Sequence, residues 1–109
     1  MQHWTLLAIA ILFEVAGTTS LKLSDGFTKL VPSVLIFIFY SLSFVALSLA
    51  IKRIDISIAY AIWSGIGTAL IALIGVYYFR ESMNFLKLVS LGLIIIGVIG
   101  LHISIKSPG

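Results

Sequence analysis

One carboxyl group lies inside an apolar stretch of this sequence. Glu14 is the only acidic residue within the four long apolar stretches, and it falls near the middle of the first, residues 4–21. If that stretch is a helix across a bilayer, Glu14 lies about ten residues in, or roughly 15 Å at 1.5 Å per residue, close to the midplane. An ionised carboxylate there costs on the order of 3 kcal/mol, so Glu14 is predicted to be a functional residue.

The helix face that carries Glu14 also carries small side chains. At helical spacing this face consists of Leu7, Ala10, Ile11, Gly17, Thr18 and Leu21. Ala10, Gly17 and Thr18 are small enough for another helix or a ligand to approach the carboxyl group closely. Glu14 is therefore either a protonated group that hydrogen-bonds a neighbouring helix, or a counter-ion for a cation and a carrier of protons.

Aromatic residues in the other stretches predict a cation site. Trp63 lies about seven residues into the third stretch, deeper than an interfacial ring, and its face can hold a cation while its N–H needs a partner. Tyr60 lies one turn earlier on the same face. Tyr40, close to Ser43 in the second stretch, also needs an internal partner for its hydroxyl. Trp4, at the start of the first stretch, is typical of an interfacial anchor.

Two further patterns concern helix contacts. Gly65 and Gly67 follow Trp63 and favour either a hinge or close packing of a neighbouring helix. The fourth stretch carries one stripe of small and branched residues, which predicts a helix-pairing surface formed by Ser90, Leu93, Ile94, Gly97 and Val98.

The elements that must position these residues are membrane helices. The chain has 109 residues, 61% of them hydrophobic and 10% charged, with a mean hydropathy of +1.21. Residues 30–51 and 56–79 contain no charged side chain, and residues 88–105 contain only His102 among titratable groups. Runs of this length span a hydrocarbon core as helices. We therefore predict an all-α integral membrane protein, a single domain with spans at about residues 4–21, 32–51, 56–79 and 87–105.

Several classes of function are disfavoured. There is no cysteine, and His102 has no second metal ligand nearby, so neither a metal nor a cofactor is predicted. The net charge of +3 comes from residues at the span ends, which face lipid headgroups rather than nucleic acid. The sequence has no phosphate loop or nucleophile motif, so an enzyme is not predicted. Residues 1–3 lack Lys and Arg, which disfavours a cleaved signal peptide.

The distribution of positive charge leaves the orientation open. Four spans place both termini on one side of the membrane. The side with the termini and the second connection carries three cationic residues, Lys52, Arg53 and Lys106. The other side carries four, Lys22, Lys29, Arg80 and Lys87. So small a bias favours insertion in both orientations. Two inverted copies could then pair around a site near the midplane.

Three segments together resemble the small multidrug resistance family: residues 14–19 (EVAGTT), 26–33 (GFTKLVPS) and 59–67 (AYAIWSGIG). The resemblance covers all four spans. It implies an antiparallel, dual-topology homodimer in the bacterial plasma membrane that exchanges protons for lipophilic cationic drugs, with Glu14 binding either in turn. The family's essential aromatic residue matches Trp63, and its supporting tyrosines match Tyr60 and Tyr40.

Other positions refine the resemblance. Gly17 followed by Thr18 resembles the branch that exports quaternary ammonium compounds, since guanidinium exporters typically carry tryptophan where this chain has Gly17. A further family tyrosine is replaced here by Trp4. The dimerisation stripe of the fourth span matches, with Ser90 in place of its leading glycine.

Two alternatives to this function remain. The first is an exporter of guanidinium, disfavoured by Gly17, or of a polyamine, which would favour more acids than a lone Glu14. The second is a non-transporting membrane subunit whose Glu14 pairs with a partner protein. An ion channel is disfavoured because no span carries a polar stripe along its length.

Overall fold

The computed structural model describes residues 2–104, which form four long helices. The helices are α1 (Gln2–Leu23), α2 (Leu30–Ala50), α3 (Ile56–Tyr77) and α4 (Phe85–Ser104). Each is long and apolar enough to cross a membrane. The prediction of four long apolar helices is confirmed. Lys106 and the predicted end of the fourth span at residue 105 lie outside the described residues.

Local sequence explains where the helices begin and end. After α1 the chain turns through three successive residues with left-handed backbone, Asp25, Gly26 and Phe27 (φ 50°, 70° and 67°). α2 begins at Leu30, two residues earlier than predicted. Pro32 lies in its first turn, where a backbone N–H would have no partner within the helix, so the proline is tolerated there. Asn84 caps α4, because its Oδ1 accepts a hydrogen bond of 2.8 Å from the Lys87 N–H.

The helices form a thin layer with α1 and α3 as its inner helices. α1 packs against α2 and α3, and α4 packs against α3. The Cα atoms extend over 49 × 36 × 17 Å. Leu7, Ile11 and Val15 of α1 form the centre of the apolar core. Within the described part of α4, no residue is buried, so that helix offers a whole face to lipid or to another chain.

Candidate functional site

The carboxyl group of Glu14 lies between α1 and α3. Glu14 is half-buried, and its Oε1 lies against Gly67: a β-carbon at that glycine would be 3.3 Å from the oxygen. The absence of a side chain at Gly67 therefore makes room for the carboxylate. The structure brings together two residues that the sequence assigned separate roles, the acid and the second glycine of the proposed hinge.

Two hydroxyl groups connect Glu14 to α2. Thr18 Oγ1 donates a hydrogen bond of 2.8 Å to Glu14 Oε2, and the Thr18 and Tyr40 hydroxyl oxygens are 2.7 Å apart. A hydroxyl has one proton to donate, so Tyr40 donates to Thr18 when Thr18 donates to Glu14. The internal partner that Tyr40 needs is thus Thr18, and a chain of hydrogen bonds runs from α2 to the carboxylate.

Glu14 borders a cavity of about 300 Å³ whose other lining residues all belong to α3: Trp63, Ser64, Gly67, Thr68 and Ile71. Ser64, Thr68 and Ile71 were not among the predicted site residues. Ser64 follows Tyr60 by four residues, Thr68 follows Ser64 by four and Ile71 follows Gly67 by four, and this stripe is the sequence signal that identifies them. Their hydroxyls bond within the helix, Ser64 to the Tyr60 carbonyl and Thr68 to the Ser64 carbonyl, each at 2.7 Å.

A row of four aromatic rings joins α2 to α3. The ring centroids are 6.3 Å apart between Tyr40 and Phe44, 6.4 Å between Phe44 and Trp63 and 5.7 Å between Trp63 and Tyr60. Phe44, one helical turn after Tyr40, is a further residue that the sequence-based site lacked. Within residues 2–104 the Trp63 Nε1 atom is buried and has no hydrogen-bond partner, so its N–H remains available to a ligand.

Four predicted site residues lie in the helix packing instead of the Glu14 cavity. Leu7 and Ile11 belong to the core. Ser43 is completely buried, and its hydroxyl donates a hydrogen bond of 2.7 Å to the carbonyl of Ala10. This bond joins α2 to α1 and satisfies the Ser43 hydroxyl without a ligand.

Two other predicted site residues contact particular neighbours. Gly17 lies under the ring of Tyr40: a β-carbon there would be 2.7 Å from two ring atoms. Trp4 lies at the other end of α1, with its ring centroid 5.0 Å from that of His102 in an edge arrangement. Trp4 and His102 line a separate apolar cavity of about 330 Å³, which does not include Glu14.

The first glycine of the predicted hinge is a packing site within the chain. A β-carbon at Gly65 would lie 2.5 Å from Val98 Cγ2 and 3.2 Å from Ile94 Cγ2. Two members of the predicted pairing stripe therefore contact α3 of the same chain. The other three members, Ser90, Leu93 and Gly97, are exposed, and no atom lies within 4 Å of a β-carbon built on Gly97.

Comparison with known proteins decides the family. The family model described as Small Multidrug Resistance protein matches residues 2–94. The chain belongs to the small multidrug resistance family. The resemblance inferred from the sequence motifs is therefore confirmed, and the protein is a multi-pass membrane protein of this family.

Relatives within the small multidrug resistance family cover nearly the full chain. The uncharacterized membrane protein YvaE of Bacillus subtilis is 50% identical over 97% of this chain and 92% of its own length. The quaternary ammonium compound-resistance protein QacF of Klebsiella aerogenes is 43% identical over 97% and 96%. The multidrug resistance protein EbrA of Bacillus atrophaeus is 49% identical over 88% and 91%. Two of these names describe resistance proteins, and none describes an enzyme.

Proposed function

We propose that this protein is a proton-coupled antiporter that exports lipophilic aromatic cations, such as quaternary ammonium compounds, across a bacterial plasma membrane. The observation that carries this proposal is the position of Glu14, whose carboxyl group borders a cavity of about 300 Å³ beside the ring of Trp63. That volume is at the lower end of the range for small-molecule sites. Membrane position, negative charge and an aromatic wall are the features that a lipophilic cation requires.

The cost of charge inside the membrane supplies the coupling. An ionised Glu14 near the midplane must be neutralised, either by a proton or by a bound cation. Because one carboxyl group serves both, a drug that enters displaces the proton, and a proton that binds displaces the drug. The Thr18 hydroxyl holds Glu14 Oε2 at 2.8 Å, while Trp63 and Tyr60 offer ring faces to the cation. Flat ring surfaces accommodate cations of many shapes.

The working unit in this proposal is an antiparallel homodimer. A layer only 17 Å thick across its Cα atoms leaves the site in the side of a single chain. A second copy facing it would enclose the site and contribute its own Glu14. The small difference in positive charge between the two sides favours insertion in both orientations, and an inverted pair provides two equivalent states for alternating access.

The names of the relatives support the class of substrate. QacF is named for resistance to quaternary ammonium compounds, and EbrA is named for multidrug resistance. Within this chain, Gly17 supports the branch of the family that exports quaternary ammonium compounds, because the Tyr40 ring occupies the space that a larger side chain at residue 17 would need.

Growth and transport assays test the proposal. Bacteria that lack their own drug exporters would express the wild type, Glu14→Gln and the control Asp25→Asn, which removes an acid outside the helices. We expect resistance to ethidium and quaternary ammonium compounds with the wild type and the control, and none with Glu14→Gln. In vesicles, drug uptake should alkalise the lumen, because each drug cation that enters exchanges for protons that leave. Wild-type cells without resistance, or proton-coupled uptake by Glu14→Gln, would refute the proposal.

A further inference from the structure

A smaller cavity adjoins the one that Glu14 borders. It measures about 110 Å³, lies between the C-terminal ends of α1 and α3, and is called here the side cavity; its polar lining residues are Thr18, Thr19, Lys22 and Glu81. Ile71 lines both cavities, and Thr18 is hydrogen-bonded to Glu14. The side chains of Ile71 and Thr18 therefore form the boundary between the side cavity and the Glu14 site.

Backbone geometry holds Glu81 at the edge of the side cavity. Arg80 has left-handed backbone (φ 57°), which turns the chain back after α3, and the Glu81 N–H donates a hydrogen bond of 2.8 Å to the Gly75 carbonyl. The Glu81 carboxylate then lies against Gly75, where any β-carbon would collide with it. Lys87 Nζ is 3.9 Å from Glu81 Oε1, and the Glu81 side chain is 48% exposed. One carboxylate thus contacts both bulk water and the side cavity.

The dimensions and polar lining of the side cavity suit protons better than drugs. Small-molecule sites usually measure about 300 Å³ or more, whereas a water molecule needs roughly 10–15 Å³ of such volume. The side cavity at about 110 Å³ has room for several water molecules and polar groups to bond them. Its lining contains one acidic and one basic residue, Glu81 and Lys22, so its small size is what excludes an organic cation. A proton, in contrast, crosses such a space by transfer along hydrogen bonds.

We propose that the side cavity is a proton-selective route between the aqueous phase at the α3–α4 connection and Glu14, distinct from the path of the drug. This inference rests on the proposed function, because it requires Glu14 to be the proton site. A proton bound by the Glu81 carboxylate passes to water in the side cavity. That water donates a proton to Thr18 Oγ1, which releases its own hydroxyl proton to Glu14 Oε2. The charged groups around Glu81 are Lys22 of α1, Lys87 of α4 and the adjacent Arg80.

Ile71 has the position of a gate on this route. Its apolar side chain lies where the side cavity meets the Glu14 site, and it keeps water in the side cavity from forming a continuous path to Glu14, so that protons pass through the Thr18 hydroxyl. An apolar partition is needed, because a permanently open route would let protons exchange without drug. Ile74 lines the side cavity alone and offers a matched comparison for Ile71.

The first experiment measures the rate of proton release. Purified wild type, Glu81→Gln and the control Asp25→Asn would be mixed rapidly with tetraphenylphosphonium, and release followed with a pH dye. We expect release from Glu81→Gln to be about tenfold slower, the lower end of the effect that a charged group at a cleft has on local cation concentration. The equilibrium affinity of Glu81→Gln for tetraphenylphosphonium should stay unchanged. Asp25→Asn should match the wild type in both.

The second experiment tests the gate in proteoliposomes without drug. Ile71→Ala should conduct protons along a pH gradient several-fold faster than Ile74→Ala, and adding Glu81→Gln to Ile71→Ala should remove most of that leak. Equal rates for Glu81→Gln and Asp25→Asn together with equal leaks for the two alanine variants would overturn this inference alone. A lower affinity of Glu81→Gln for tetraphenylphosphonium would also overturn it, because Glu81 would then belong to the drug path. Wild type that releases no protons would refute the proposed function itself.

Discussion

The ring of Tyr40 lies directly on Gly17. A β-carbon on this glycine would be 2.7 Å from both Cδ1 and Cε1 of the ring, a distance at which one of the two must move. With glycine at residue 17, Tyr40 reaches across α1 and its hydroxyl approaches to 2.7 Å from that of Thr18. A tryptophan here, which the family resemblance implies for guanidinium exporters, is incompatible with this position of Tyr40.

Gly17→Ala should therefore displace Tyr40. We expect a loss of about 1–3 kcal/mol in stability from overpacking between α1 and α2, together with weaker drug binding. Thermal unfolding in detergent and binding of tetraphenylphosphonium measure the two effects. Gly92→Ala is the matched control, because no atom lies within 4 Å of a β-carbon there. If Gly17→Ala retained both wild-type stability and affinity, the Tyr40 contact would have no functional role.

Thr18→Val should disconnect Tyr40 from Glu14. The substitution keeps the branched shape of the side chain and removes a hydroxyl that bonds both partners. We expect the free energy of drug binding to weaken by about 1–3 kcal/mol, which is the usual cost when one partner of a buried hydrogen bond is removed and the other is left unsatisfied. The control is Thr19→Val, whose hydroxyl bonds the Val15 carbonyl of its own helix. Equal effects of the two substitutions would argue against a role for the hydrogen-bond chain.

Trp63→Leu should weaken binding of aromatic cations. The ring borders the Glu14 cavity, and loss of a desolvated cation–π contact costs about 1–2 kcal/mol, or roughly tenfold in affinity. Trp63→Phe keeps a ring and removes the unpartnered N–H, so it should retain part of the affinity. Isothermal titration gives the affinities, and crosslinking shows whether the dimer still forms. If Trp63→Leu lost the dimer, the residue would serve packing instead of substrate binding.

Gly97→Ala should weaken association between chains. Gly97 is exposed on α4, and a β-carbon built there has no atom within 4 Å in the described part of the chain, so an added methyl group leaves the fold of one chain intact. In the proposed homodimer it would separate two closely packed helices, and the dimer fraction in a dilution series should fall. Gly92→Ala, on another face of α4, should leave the dimer fraction unchanged. A wild-type dimer fraction for Gly97→Ala would place the interface elsewhere.

Helical spacing in the sequence identifies three residues near the Glu14 site that were not among the predicted site residues. Phe44 follows Tyr40 by four residues, and Ser64 and Thr68 continue the stripe that contains Trp63. Helical periodicity alone contains this signal. The sequence does not reveal where on the stripe the cavity ends, since that depends on how deeply the neighbouring helices enter.

By itself, the sequence determined the four helices and the place of the acid along the first. Apolar runs long enough to cross hydrocarbon must satisfy their backbone hydrogen bonds internally, which requires helices, and the helical rise then puts Glu14 near the midplane. Only the tertiary structure decided which residues meet the carboxyl group. Periodicity assigns residues to a helix face, but packing sets the rotation of each helix. Contacts such as Ser43 with Ala10 and Val98 with Gly65 set that rotation. Several predicted site residues therefore lie in the helix packing that positions Glu14.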